Sequence, residues 1–143
     1  IGVKEADTNI TKLQKSIYLC DGAMNFYIGN DDMIASSIFS GCKGVISVLS
    51  NILPEYTHSL AYEALNGNIQ IANTMQQKAM PLIETLFSDV NPIPVKAAAG
   101  YLFGLNSDCR LPLCDLSSDN YIQLIEILNK NKVLFESEAF KLS

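Results

Sequence analysis

The apolar positions of the first fifty residues alternate between two periods. Three short runs rich in β-branched or aromatic residues, IGVKEA, NFYIG and GVISV, are typical of strands. Between them, TNITKLQKSIYL and NDDMIASSIFSG carry apolar residues at helical spacing. Asp7 or Thr8 is available to cap the first helix, and Asp31 and Asp32 stand at the positive N-terminus of the second, which Gly41 ends. This alternation predicts βαβ units with a parallel sheet.

From Pro54 onward the pattern is helical only. PEYTHSLAYEALNG predicts a helix that begins at Pro54 and ends at Gly67. In NIQIANTMQQKAMPLIETLF, Pro81 is expected to bend or divide the helix. NPIPVKAAAGYLFG predicts a helix capped by Asn91 that ends at Gly104. In SDNYIQLIEILNKN one face of a further helix is apolar; it carries Tyr121, Leu124, Ile125 and Leu128.

A parallel sheet of three strands would leave two edges unpaired, which natural proteins avoid. Eight βα units that close on themselves remove the edges, but such a barrel needs about 250 residues. The 143-residue chain is therefore interpreted as an α/β protein that forms the back part of a barrel. We expect residues 1–53 to supply barrel strands and helices, and residues 54–143 to supply the final barrel helix and a C-terminal helical region.

Composition narrows the classes of function. The net charge is −5 and basic residues do not cluster, so nucleic acid is not an expected partner. No apolar run approaches the roughly 20 residues of a membrane span. Cys20, Cys42, Cys109 and Cys114 form no CxxC pair and His58 is the only histidine, so no metal site is expected. The cysteines are interpreted as reduced, mostly buried thiols of a cytoplasmic protein.

Lys4 is the residue of the first strand that could take part in a reaction. Side chains alternate across a strand, so Gly2 and Lys4 point to one face while Val3 and Glu5 point to the other. At the carboxyl end of a barrel strand, Lys4 would lie where barrel enzymes hold their catalytic groups. An apolar pocket disfavours the ammonium form, and the neutral amine forms Schiff bases with ketones. From the residues alone, an edge charge or a snorkelling side chain remains the commoner role of a strand lysine.

Five motifs, GVKEA, GNDD, GVISVLSN, NPIPVK and RLPL, follow one another along the chain. Together they resemble the C-terminal half of the dihydrodipicolinate synthase (4-hydroxy-tetrahydrodipicolinate synthase) family of lysine biosynthesis, from Ile1 to about Lys132. The resemblance implies strands six to eight of a (β/α)8 barrel, with Lys4 as the Schiff-base lysine. It also implies a lyase that condenses pyruvate with aspartate semialdehyde and needs no cofactor. It places Gly29 at the pocket wall and gives Ile46 a backbone contact with pyruvate.

The resemblance further implies a cytoplasmic homodimer or homotetramer. The acid–base residues of the family belong to strands one to five, so we expect this chain alone to be inactive. Because its barrel edges would be open, we also expect it to associate with the missing N-terminal half or with another copy, or to rearrange its strand order. A start at Ile1 suggests truncation, proteolysis or one piece of a cut chain. Among the other polar residues, Lys96 is expected to be structural, Asn51 to belong to a turn, and His58 to lie at the surface or at an interface rather than to act as a base.

Two alternatives remain open. One is another pyruvate-dependent aldolase, such as N-acetylneuraminate lyase or a keto-deoxy-sugar aldolase, which would use the same lysine with a different acceptor. The other is a non-catalytic assembly module formed by the helices from Pro54 to Lys132. The tail VLFESEAFKLS, residues 133–143, matches no motif of the family.

Overall fold

The computed structural model describes residues 1–136, so most of the tail whose role the sequence leaves open lies outside the described residues. The elements are β1 (Gly2–Glu5), α1 (Ile10–Cys20), β2 (Asn25–Ile28), α2 (Ile34–Phe39), α3 (Pro54–Leu65), α4 (Ile69–Leu86), α5 (Ile93–Phe103), α6 (Ser118–Lys130) and α7 (Lys132–Glu136). Single 3-10 turns stand at Asp31–Met33 and Leu49–Asn51.

The chain divides into two units. The first comprises Ile1–Val48 and Thr57–Lys78, and the second comprises Leu49–Tyr56 together with the chain from Ala79 onward. These compact units are not the barrel segments 1–53 and 54–143, and the division into those segments stays a prediction.

In the first unit, β1 and β2 run parallel, with Lys4 opposite Tyr27 and Glu5 opposite Ile28. Helix α1 connects them, which confirms the first βαβ unit. The third strand predicted from GVISV is wrong as a full strand, because only one parallel bridge, Ile28 to Val45, forms there. The chain bends at Val48 and enters a 3-10 turn, so too few residues run beside β2 to form a ladder.

The core of the first unit lies on one side of this sheet. Phe26 and Ile28 of β2 point into it and are buried. They pack in one cluster with residues from three helices; these include Leu13 of α1, Ile34 and Ile38 of α2, and Leu60 and Ala64 of α3. Residues at alternate positions point to the opposite side; of these, Lys4 and Asn25 are exposed and Tyr27 is half-buried. The period of two in the sequence therefore separates a packed face from an open face.

The cap of α1 differs from the prediction. Asn9 is the N-cap residue, and its Oδ1 accepts a hydrogen bond from the Lys12 backbone N–H at 3.0 Å. Asp7 is not the cap because its Oδ1 accepts from the Asn9 N–H at 2.9 Å, and Thr8 lies inside that short turn. Asp7 thus orders the segment that leads from β1 into α1.

Two helices that involve the second unit also correct the predictions. Pro81 does not divide α4, which continues from Ile69 to Leu86. Pro81 and Gln77, the residue that would have accepted its missing N–H, are both exposed, so the interruption of the hydrogen-bond ladder lies on an exposed face of the helix. Asn91 does not cap α5, because Pro92 occupies the N-cap position. Asn91 lies in the turn before the helix, which is closed by a hydrogen bond of 2.9 Å from the Ile93 N–H to the Val90 carbonyl.

The predicted apolar stripe of α6 is confirmed for its centre. Leu124 and Leu128 are buried, and Ile125 is half-buried. Tyr121, at the edge of the stripe, is 41% exposed. Ser117, the residue before α6, caps the helix: its side-chain oxygen accepts a hydrogen bond from the Asn120 N–H at 3.3 Å.

Candidate functional site

The open face of the sheet gathers the three residues that the sequence singled out. Lys4 lies opposite Tyr27, and Ile28 lies opposite Val45. Because neighbours along a strand alternate, Gly29 and Ile46 occupy positions on the same face as Lys4. The structure therefore brings Lys4, Gly29 and Ile46 together on one surface of the first unit.

Gly29 makes room for the Lys4 side chain. A Cβ atom at Gly29 would stand 2.5 Å from Lys4 Cε and 3.3 Å from Lys4 Cγ. It would also stand 3.2 Å from the carbonyl oxygen of Glu5. The aliphatic stem of Lys4 thus lies over Gly29, the residue that directly follows β2, where no side chain blocks it.

Tyr27 is a neighbour of Lys4 that the sequence reasoning missed. Its ring lies between two glycines of the adjacent chain segments. A Cβ at Gly2 would stand 3.0 Å from Tyr27 Cε2, and a Cβ at Gly44 would stand 3.5 Å from Tyr27 Cδ1. The signal was present, because a residue two positions before Gly29 must face the same way in a strand.

Ile46 presents its backbone as well as its side chain. Its N–H donates to the Ile28 carbonyl at 2.8 Å, which fixes the peptide on the edge of β2. Within residues 1–136, no group donates a hydrogen bond to the Ile46 carbonyl oxygen. The side chain is 48% exposed. Ile46 can therefore offer a backbone acceptor and an apolar surface to a small ligand.

Lys4 itself is exposed in the described chain. The expected dry pocket around its amine is thus not formed by residues 1–136. These residues supply a floor, made of Gly29 and the Tyr27 ring, and leave the other side of the lysine open.

The carboxyl ends of the strands are tied together by polar groups. The Gly29 N–H donates to the Glu5 carbonyl at 2.7 Å, and Asn30 Nδ2 donates to the Ala6 carbonyl at 3.1 Å. The fully buried Asp31 accepts the Val48 N–H on Oδ2 at 2.9 Å. These bonds fix the segments that follow Lys4, Gly29 and Ile46, and the sequence alone did not indicate them.

The remaining polar candidates lie elsewhere. His58 is exposed and stacks on Tyr62 with ring centroids 6.1 Å apart, which confirms its expected place at the surface. Lys96 donates from Nζ to the backbone carbonyl of Asp108, as a structural lysine would. Asn51 ends the short 3-10 turn, in agreement with its expected place in a turn.

The cysteines are free, but only one is buried. Burial raises the pKa of the Cys42 thiol and the Glu5 charge adds to the rise, so this thiol is a poor nucleophile. The expectation of mostly buried thiols is wrong for Cys114, which is exposed in an extended segment. Among residues 1–136, no three His, Cys, Asp or Glu side chains cluster as metal ligands would. In the same part of the chain, every helix is too short or too polar to cross a membrane.

Comparison with known proteins identifies the chain's relatives. The profile of the dihydrodipicolinate synthetase family matches residues 1–131. The 4-hydroxy-tetrahydrodipicolinate synthase of Acetivibrio thermocellus is 40% identical over 121 residues, which are 85% of this chain and 41% of that protein. That of Caldicellulosiruptor bescii is 44% identical over 129 residues, which are 90% of this chain and 42% of that protein.

The likeness extends to three dimensions. The crystal structure of dihydrodipicolinate synthase from Thermotoga maritima superposes with a TM-score of 0.88 at 32% identity, over 93% of this chain and 46% of that one. The chain thus spans less than half the length of the relatives it matches.

Proposed function

Because the chain belongs to the dihydrodipicolinate synthetase family, we propose that it forms strands six to eight of a (β/α)8 barrel and carries the Schiff-base lysine of a 4-hydroxy-tetrahydrodipicolinate synthase. In this proposal residues 1–53 supply barrel strands and residues 54–143 the last barrel helix and a helical extension. The observation that supports it most is the place of Lys4, on the open face of the sheet and against Gly29.

The proposed chemistry begins with Lys4. Its neutral Nζ adds to the keto carbon of pyruvate, and loss of water gives an imine. The imine nitrogen draws electrons, so a proton leaves the pyruvate methyl group and an enamine forms. The enamine carbon attacks the aldehyde carbon of aspartate semialdehyde, and the new carbon–carbon bond restores the imine. The product then cyclises and Lys4 is released as the free amine. No cofactor is needed, because the covalent imine is itself the electron sink.

Gly29 and Ile46 have binding roles in this proposal. Gly29 allows the lysine stem to lie on the strand, which aims Nζ along the open face. The Ile46 carbonyl accepts a hydrogen bond from the bound intermediate, and its exposed side chain covers the methyl end of pyruvate.

The exposure of Lys4 supports a need for the N-terminal half of the barrel. The described residues leave one side of Lys4 open to solvent, and the proton relays that catalysis needs contribute about 10²–10⁴ in rate. We therefore propose that the chain acts with the missing half, in a homodimer or homotetramer of complete barrels. We also propose a cytoplasmic location, which the four free cysteines support.

Complementation of the half barrel tests this function. The chain is co-expressed with the front half of the Clostridium perfringens relative, which is 37% identical to it over 137 residues. Pyruvate and aspartate semialdehyde are then supplied in a coupled assay, beside sugar aldehydes as competing acceptors. The matched variants are Lys4→Met and Lys43→Met, because Lys43 is another exposed lysine of the same unit.

We expect turnover with aspartate semialdehyde in the complemented sample, its loss in Lys4→Met, and its retention in Lys43→Met. We expect no turnover by the chain alone. Preference for a sugar aldehyde would reassign the chain to another aldolase, and full activity in Lys4→Met would refute the proposal.

A further inference from the structure

The β1–β2 ladder ends just where the site begins. Its last backbone bond joins the Gly29 N–H to the Glu5 carbonyl at 2.7 Å. Lys4 precedes Glu5 by one residue, so the direction of its side chain depends on how firmly this end of β1 is held. Beyond Glu5 the chain turns into the segment that leads to α1, and the backbones of the two strands part.

The side chain of Asn30 extends the connection by one peptide. Its Nδ2 donates to the Ala6 carbonyl at 3.1 Å, and no other described residue donates to that oxygen. Asn30 is itself held, because its own carbonyl accepts the Met33 N–H at 3.1 Å at the start of a 3-10 turn. The amide thus links two segments, one after the lysine strand and one after the glycine strand.

We propose that Asn30 is a positioning residue for the Schiff-base lysine, which it serves by fixing the carboxyl end of β1 through Ala6. This proposal rests on the proposed function of Lys4. Removing the amide donor leaves Ala6 and the residues before it with one fewer anchor, and a shift of about 1 Å at a reacting group costs up to about 100-fold in rate. Pyruvate affinity should change little, because Asn30 acts through the β1 backbone.

The side chain of residue 30 must donate a hydrogen bond for this role. Aspartate has the same shape as asparagine, but its carboxylate cannot donate to a carbonyl and would repel it. Glutamine keeps the donor on a longer arm. Asn30→Asp and Asn30→Gln therefore separate hydrogen-bond donation from mere occupancy of the space.

The test measures the rate of borohydride-trappable imine formation with pyruvate in the complemented barrel, over a range of pyruvate concentrations. Asn30→Asp and Asn30→Gln are compared with the unaltered chain and with Gln14→Ala. Gln14 is the matched control because its amide also makes a side-chain hydrogen bond in the same unit, to Ser40 Oγ at 3.4 Å, away from β1. Thermal unfolding of each variant fixes an assay temperature at which all are folded.

We expect Asn30→Asp to lower the rate at saturating pyruvate by about 10- to 100-fold with half-saturation within about twofold. Asn30→Gln should recover much of the rate, and Gln14→Ala should match the unaltered chain. Equal rates in Asn30→Asp and the unaltered chain would overturn the inference while leaving the function of Lys4 intact. Failure of the unaltered barrel to trap pyruvate would instead refute the proposed function.

Discussion

Gly29→Ala perturbs the site by a single methyl group. The new Cβ would stand 2.5 Å from Lys4 Cε, where ordinary contacts are 3.4–4 Å, so Cε must move by about 1 Å. The Glu5 carbonyl, 3.2 Å away, limits movement of the alanine itself. Because the atom displaced belongs to a flexible side chain, the fold should survive while Nζ leaves its position. A displacement of this size predicts a loss of about 10- to 100-fold in imine formation.

The assay is borohydride trapping of pyruvate in the complemented barrel, with thermal unfolding measured on the same samples. Gly100→Ala is the matched control, because it adds a methyl group at a crowded helical glycine of the second unit, 3.1 Å from the Leu105 carbonyl. The control should trap pyruvate at the unaltered rate even if its stability changes. An unchanged rate of pyruvate trapping in Gly29→Ala would refute the idea that Gly29 makes room for the Lys4 side chain.

Three further predictions concern stability, each measured by denaturant unfolding of the chain. Gln76 donates to the Asp31 carbonyl at 2.8 Å and accepts from the Ala35 N–H at 3.2 Å, near the start of α2. Gln76→Ala removes both hydrogen bonds and should lower the free energy of unfolding by about 1–3 kcal/mol, whereas Gln77→Ala, at the exposed neighbouring residue, should lower it little. Asn9→Ala should cost about 1 kcal/mol by removing the N-cap of α1, and a similar loss from Thr8→Ala instead would contradict the observed cap. Burial raises the pKa of Tyr56 to about 12, so its phenol deprotonates first in the unfolded chain; this contribution to stability should be full below about pH 10 and fall by about 1 kcal/mol between about pH 10 and about pH 11, a fall that Tyr56→Phe should abolish.

The sequence predicts those elements that local patterning determines. Helices α3 to α6 and the parallel pairing of β1 with β2 follow from periodicity, with glycines at helix ends, and the structure has them; the short α7 was not predicted. The predictions that were wrong concern details that depend on contacts with neighbouring residues, which periodicity does not indicate. Asn9 rather than Asp7 caps α1 because Asp7 is engaged in its own turn. Helix α4 is not divided at Pro81, which lies on its exposed face.

The site was predictable in part. Lys4 and Gly29 follow from motifs, and Tyr27 could have been found from strand alternation. The hydrogen bond of Asn30 could not, because it reaches Ala6, 24 residues earlier in the chain. The exposure of Lys4 was also not predictable, since the motifs describe a pocket to which these residues contribute only one side.

The position of the covalent bond to pyruvate decides whether Lys4 is the Schiff-base lysine. The complemented barrel is reduced with borohydride in the presence of pyruvate, digested, and mapped by tandem mass spectrometry. We expect the added three-carbon acid on the ε-nitrogen of Lys4 and on no other lysine of the chain. A modification on Lys43 or Lys96 with an unmodified Lys4, or no modification while turnover proceeds, would contradict it.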